Sequence, residues 1–267
     1  MLNGITLGQF MPGKTLVHQL DPRMKIILTM LYVAIVFCVS SPLWYVFPML
    51  YLALTARQAG LKFKQLWKSV RPLRFLLILT FVLNLLFSTG NTVWLEWGFL
   101  KITREAVVMA VHFSMRLIFL VMGTSILTLT TSPVALSDGM EMLLTPLKAI
   151  RFPAHEMAMM MTIALRFIHT LIEETDKIMK AQMARGADFE SGNLIKRAKA
   201  MIPLLVPLFV SAFRRAGELA MAMEARCYHG GEGRTRLRVL RYTRQDGKAL
   251  LVTVLTLLCT ILAGMLI

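Results

Sequence analysis

Acidic residues are scarce in this chain. Only 15 Asp and Glu stand against 30 Lys and Arg, and charged residues make up 17% of its 267 positions. A soluble globular domain carries about 25% charged residues and about 45–50% apolar ones. Here 56% are hydrophobic and the mean hydropathy is +0.62, which points to a membrane protein. Cysteine is sparse too: Cys38, Cys227 and Cys259 show no CxxC spacing. Neither a zinc site nor a disulfide framework is suggested. Cys38 and Cys259 lie inside apolar runs and read as packing residues. No GxxxxGK[ST] occurs, so the chain lacks the loop that cradles nucleotide phosphates. The stretch Gly230-Gly231-Glu232-Gly233 lacks the Lys and Ser/Thr that would follow, and reads as a turn. His155-Glu156 begins like a zinc-protease motif, but Met159 stands where the second histidine belongs. The five histidines (18, 112, 155, 169, 229) share no ligand spacing. No apolar run contains paired acids. Catalytic residues, metal ligands and cofactor-binding residues are therefore not expected, and the chain is read as non-enzymatic.

Long apolar runs are what the chain does have. A membrane helix needs about 20 mostly apolar residues. Met24–Ser41 carries one charge, Lys25, at its edge, and Ser40-Ser41-Pro42 breaks it. Pro42–Ala56 follows as the second arm of a hairpin. Phe75–Thr89 is uncharged but short, and must borrow flanking residues to span. Ala106–Thr131 is long, with His112 and Arg116 inside it. Ala249–Ile267 is a final uncharged run. Five spans are expected. No small-residue cleavage site follows the first run, which reads as a retained helix rather than a signal peptide.

Lys and Arg concentrate in cytoplasmic loops. Arg57–Arg74 holds six basic residues and no acid, whereas Gly90–Glu105 balances Lys101 and Arg104 against Glu96 and Glu105. Trp94 and Trp97 in the latter suit an interfacial belt. The expected orientation is N-terminus inside and C-terminus outside. Ser132–Lys248, with eighteen basic residues, is then inside. The expected organisation is 1–131 (opening segment and four spans), 132–248 (cytoplasmic helical region) and 249–267 (last span). The fold class is all-α polytopic membrane protein.

The cytoplasmic region is helical and rich in Leu, Ile, Met and Ala. Ala135–Ile150 reads as a short amphipathic helix interrupted by Pro146. Ala154–Arg185 contains neither Pro nor Gly and predicts about nine helical turns. Gly186 supplies a left-handed C-terminal position, and Asp188–Asn193 a polar turn. Leu194–Cys227 predicts a second long helix with Pro203 and Pro207 in its first half. Both helices finish on Ala-Arg-small: Ala184-Arg185-Gly186 and Ala225-Arg226-Cys227, with the arginines 41 positions apart. An arginine at a helix C-terminus gains a few tenths of a kcal/mol to about 1 from the macrodipole. Two like endings suggest more. Small flanking residues clear space for a planar five-donor fork to enter a partner's groove and meet a carboxylate.

These endings resemble the paired signatures of the T component of energy-coupling factor (ECF) transporters. The second lies within Ala222-Met223-Glu224-Ala225-Arg226-Cys227-Tyr228, with Cys227 where the strict signature has Gly. The opening segment Gly8-Gln9-Phe10, Pro12-Gly13, His18, Leu20-Asp21-Pro22-Arg23 and Lys25 resembles that family's start, and the likeness runs from about residue 8 to 240. Asp21 and Pro22 also read locally as helix cap and first position. The resemblance implies an L-shaped protein of a bacterial or archaeal cytoplasmic membrane, with long coupling helices. Arg185 and Arg226 would each dock on one of two ABC-type ATPases. ATP-driven motion would pass to a membrane-embedded substrate-binding (S) component for vitamin or metal-ion uptake. Methionine suits surfaces that accept several partners, and Met157, Met160, Met161 and Met221 are the expected surface for the S component. The lipid bilayer is the other partner. The Arg234–Arg244 stretch reads as an anionic-lipid contact. It has no aromatic platform for RNA, and nucleic acid is not expected. A self-contained secondary transporter is the alternative, but paired hydropathy halves are not evident. An intramembrane enzyme would need a convergent polar set that is missing.

Overall fold

The structure is a computed structural model that describes residues 10–87, 92–97, 100–146, 152–187, 189, 193–230 and 240–265. Gly8-Gln9, most of the expected 188–193 turn, Gly231, Gly233 and the arginines of 234–238 lie outside the described residues. The chain packs as two compact units, Gly8–Met140 with Val239–Ile267, and Glu141–Arg238.

The first unit is a bundle of apolar helices. A short α1 (Leu16–Gln19) leads into α2 (Pro22–Cys38). A 3-10 turn, Pro42–Tyr45, runs into α3 (Val46–Gln58). Next come α4 (Phe63–Val70), a 3-10 turn at Arg71–Leu73, and α5 (Arg74–Phe87). A two-stranded antiparallel hairpin, β1 (Val93–Trp97) and β2 (Leu100–Thr103), precedes α6 (Arg104–Thr130). After α7 (Pro133–Leu144), whose first part belongs here, the last element of the unit is α10 (Arg244–Met265).

Among the described residues, four helices are long and apolar enough to cross a membrane: Phe63–Phe87, Arg104–Thr130, Lys199–Glu224 and Arg244–Met265. Three of them carry expected spans. The third span borrows residues on its N-terminal side, so much of the expected basic loop is helix. In α4, Leu66 and Val70 turn into the core while Lys64 and Lys68 face outward. The first two expected spans are helical but shorter: α2 has 17 residues, and the 3-10 turn with α3 another 17. Part of the loop after α5 forms two antiparallel strands, with Val93 paired to Thr103 and Trp97 to Leu100. The fourth long apolar helix, Lys199–Glu224, lies in the region expected to be cytoplasmic.

Aromatic rings organise the bundle core. Tyr45 stacks on Phe119 at 5.4 Å, and Tyr32 on Tyr51 at 5.5 Å. The Tyr32 hydroxyl donates to the Phe119 carbonyl at 3.1 Å, and Tyr51 bonds the Thr253 hydroxyl at 3.0 Å. These bonds satisfy the polar end of each ring where lipid offers no partner. They also tie α2 to α6 and α3 to α10. Gly123 on α6 makes the first contact possible, because a Cβ there would meet the Tyr32 ring at 2.0 Å. Small residues at such crossings let membrane helices approach closely. The outward faces stay apolar, as lipid-facing surfaces do: Phe75 on α5 is 75% exposed and Leu262 on α10 60%.

Arg116, the charge inside α6, donates to His112 Nε2 at 2.9 Å and to the Val39 carbonyl at 3.4 Å. Its guanidinium also lies over Phe37 and Phe113. It is a strut between α2 and α6, with a carbonyl and a ring nitrogen as partners rather than an acid.

The opening segment does more than cap a helix. Asp21 caps α2 by accepting from the Arg23 amide at 2.9 Å, and its carboxylate also pairs with the Arg23 guanidinium. The Asp21 amide donates to Asp246 at 3.0 Å. Asp246, 1% exposed, also accepts from the amide and hydroxyl of Thr243 at 2.7 Å, which caps α10. Lys25 donates to the carbonyls of His18 and Thr130. The starts of α2 and α10 and the end of α6 therefore meet at one end of the bundle.

The second unit is dominated by α8 (Ala154–Ala184) and α9 (Leu194–Glu224), 31 residues each. At about 1.5 Å per residue each is about 46 Å long. The α9 helix continues through Pro203 and Pro207. It ends at Glu224, three residues short of the expected Cys227. In the first turn of α8, His155 Nδ1 bonds Glu141 Oε1 at 2.8 Å, which gives His155 a packing role.

Candidate functional site: two matched helix ends

The last residues of α8 and α9 adopt one backbone design. At the end of α8, the amide of Arg185 donates to the Gln182 carbonyl, that of Gly186 to Met183, and that of Ala187 back to Gln182. At the end of α9, Arg226 donates to Met223, Cys227 to Glu224, and Tyr228 back to Met223. Every donor and acceptor of the second set lies 41 positions beyond its counterpart in the first. The last two bonds of each set are the crossed pair of a Schellman motif, which satisfies carbonyls that a helix end leaves open.

That motif needs a left-handed residue one place after the cap. Gly186 fills it at φ 89 and Cys227 at φ 55. Cys227 is the one non-glycine residue with positive φ among those described. Nothing lies within 4 Å of a Cβ placed on Gly186, so the backbone conformation alone calls for glycine there. The chain turns away at this residue, and the arginine before it is left at the tip.

Ala184, Arg185 and Gly186 are exposed, as are Ala225, Arg226 and Cys227. Among the described residues neither guanidinium is engaged in a hydrogen bond or an ion pair. The alanines put no bulk beside the arginines. Each helix end thus offers an unobstructed planar fork, and the helix's partial negative end favours the cation there.

The methionines Met157, Met160, Met161 and Met221 are all exposed. Met157, Met160 and Met161 share one side of α8, at spacings of three and four. Sequence reasoning missed a larger apolar stripe on α9. Ile202, Val206, Phe209 and Phe213 recur every three or four residues and are all more than half exposed. Their spacing is the signal that could have found them. No group of three or more His, Cys, Asp or Glu among the described residues is arranged to hold a metal ion.

Known proteins agree on one family. Residues 13–237 match the family CbiQ, described as cobalt transport protein. A Clostridium kluyveri protein named energy-coupling factor transporter transmembrane protein EcfT is 50% identical over 264 residues, which cover 98% of each chain. Proteins of the same name from Thermosediminibacter oceani and Bacillus subtilis are 53% and 48% identical. The first match covers 93% of this chain and 94% of the relative, the second 92% and 93%. This multi-pass membrane chain belongs to the CbiQ family and, with these relatives, to the transmembrane components of ECF transporters.

Proposed function

We propose that this chain is the coupling subunit of an ECF-type importer. In this reading α8 and α9 are the coupling helices. Arg185 and Arg226 each enter a groove on one member of an ABC-type ATPase pair and meet a carboxylate there. The observation that carries the proposal is the matched pair of helix ends, each with an exposed arginine at its tip. A partner with two similar ATPase subunits has two similar grooves, and two copies of one capping motif suit them. ATP-driven closing and opening of the pair shifts the two helices and changes how the S component sits in the membrane. The chain itself is non-catalytic in this reading, since hydrolysis belongs to the ATPases.

The S component, selective for a vitamin or a metal ion, docks on apolar surface. Met157, Met160, Met161 and Met221 contribute adaptable contacts, and the exposed α9 stripe adds area. That stripe explains how an amphipathic coupling helix can be apolar enough to cross a membrane without doing so. Ser132–Lys248 faces the cytoplasm, with the N-terminus inside and the C-terminus outside. The excess of Lys and Arg in Arg57–Arg74 and Ser132–Lys248 supports that orientation.

The test is a co-purification. The chain is co-expressed with its ATPase pair, as wild type, Arg185→Glu, Arg226→Glu and the double variant. The expected result is normal membrane insertion of all four, weaker ATPase retention in each single variant and loss in the double. Full retention and unchanged uptake in the double variant would make the arginines ordinary helix caps and overturn the proposal.

A further inference from the structure

The helices that carry the two arginines touch through a polar cluster. Ser211 on α9 donates to Glu174 Oε1 on α8, and Arg215 Nη2 lies 3.0 Å from Glu174 Oε2. The Arg215 Nε also approaches the Ser211 hydroxyl at 3.5 Å. Ser211 is buried, and Glu174 and Arg215 are partly covered.

The positions of these residues matter as much as the contact. Glu174 lies eleven residues before Arg185, and Arg215 lies eleven before Arg226. The pair therefore joins equivalent places in the 41-residue repeat. When two copies of one unit meet about a two-fold axis, the residue on the axis faces its own counterpart. Like charges there would repel. This chain has Glu173-Glu174 in the first helix and Arg214-Arg215 in the second, so the counterparts attract. Thr170 and Ser211 are counterparts too, and keep a hydroxyl beside the charge in both helices. At about 1.5 Å per residue, each arginine tip lies about 16 Å along its helix from the contact. The two arms are equal.

We infer that Glu174, Ser211 and Arg215 form a pivot that fixes where α8 and α9 cross and so sets the separation of Arg185 and Arg226. Glu174 and Arg215 are positioning residues: they touch no partner, and act by placing the residues that do. The functional meaning rests on the coupling reading above. With two grooves at a set spacing on an ATPase pair, a fixed crossing lets both arginines engage together. A movement of one arm is then passed to the other through the pivot rather than lost in sliding of one helix on the other.

The experiment measures the tips directly. Met183 and Glu224 are counterparts in the repeat, both exposed and next to the arginine motifs. The full chain in lipid nanodiscs carries spin labels at Met183→Cys and Glu224→Cys, with Cys38→Ala, Cys227→Gly and Cys259→Ala as background. Pulsed electron paramagnetic resonance reads the distance distribution between the labels. One narrow distribution is expected for this parent. Glu174→Gln and Arg215→Gln should each broaden it, and Ser211→Ala should do so to a smaller degree. The exchange Glu174→Arg with Arg215→Glu should narrow it again. Parental width in the single variants, or single-variant width in the exchange, would overturn the pivot. The ATPase co-purification is run beside it. If the distributions respond as expected while Arg185→Glu with Arg226→Glu still retains the ATPases, the coupling reading fails and the pivot stands.

Discussion

Cys227 occupies, at the end of α9, the left-handed backbone position that Gly186 occupies at the end of α8. The two residues accept the same turn at unequal cost. A side chain in the left-handed region is disfavoured by about 1–2 kcal/mol relative to glycine. Cys227→Gly should therefore stabilise the end of α9 by about 1 kcal/mol, with little packing lost because the side chain is exposed. Gly186→Ala should lose about the same amount at the end of α8, again through the backbone alone. Melting midpoints of the purified chain in one detergent check both. Changes of the same sign would show that φ is not what distinguishes the two sites.

Much of this was legible in the sequence, and the parts that were not have physical reasons. The long helices and their Ala-Arg-small ends could be read because helix periodicity and a C-terminal glycine are local signals. Asp21 could be read as a cap for the same reason. Its bond to Asp246 could not, because it joins positions 225 apart and leaves no trace in either segment. The basic stretch before α5 looked like a loop, yet α4 forms there by burying only Leu66 and Val70. The repeat was visible at its arginine ends but not at Glu174 and Arg215. Opposite charges at equivalent positions look like a mismatch until the helices are seen to touch there.

Gly123 lets α2 and α6 approach where Tyr32 crosses. An alanine Cβ would fall 2.0 Å from the ring and 2.8 Å from its hydroxyl-bearing carbon. The ring is held by its bond to the Phe119 carbonyl and by stacking on Tyr51, so it cannot swing aside freely. Gly123→Ala should destabilise the bundle by about 1–3 kcal/mol, as overpacking of a tight core does. Fluorescence-detected size exclusion after a heat series reads the loss. A midpoint equal to wild type would show that the helices separate to make room.

Asp246 serves two helix starts at once. Its carboxylate takes the Thr243 amide and hydroxyl at the start of α10 and the Asp21 amide at the start of α2. Asp246→Ala leaves these donors without their acceptor in a buried site and should cost about 2–4 kcal/mol. Asp246→Asn should cost less, because the amide oxygen still accepts while its NH2 faces a donor. The same heat series ranks the three proteins. An Ala variant as stable as Asn would mean that water replaces the carboxylate.

Orientation can be read with two cysteines. Thr92 bonds Glu105 at the start of α6, and Thr130 at its other end bonds Lys25. Those ends are 27 helical residues apart, about 40 Å, which is more than the roughly 30 Å hydrocarbon core. The two ends are therefore expected on opposite sides of the membrane. With Cys38 and Cys259 replaced, Cys227 should be closed to a membrane-impermeant maleimide on intact cells and open to it in inside-out vesicles. Thr92→Cys, with Cys227 also replaced, should behave the opposite way. Labelling of Cys227 on intact cells would place the arginine tips on the side without ATP, and no ATPase could then reach them.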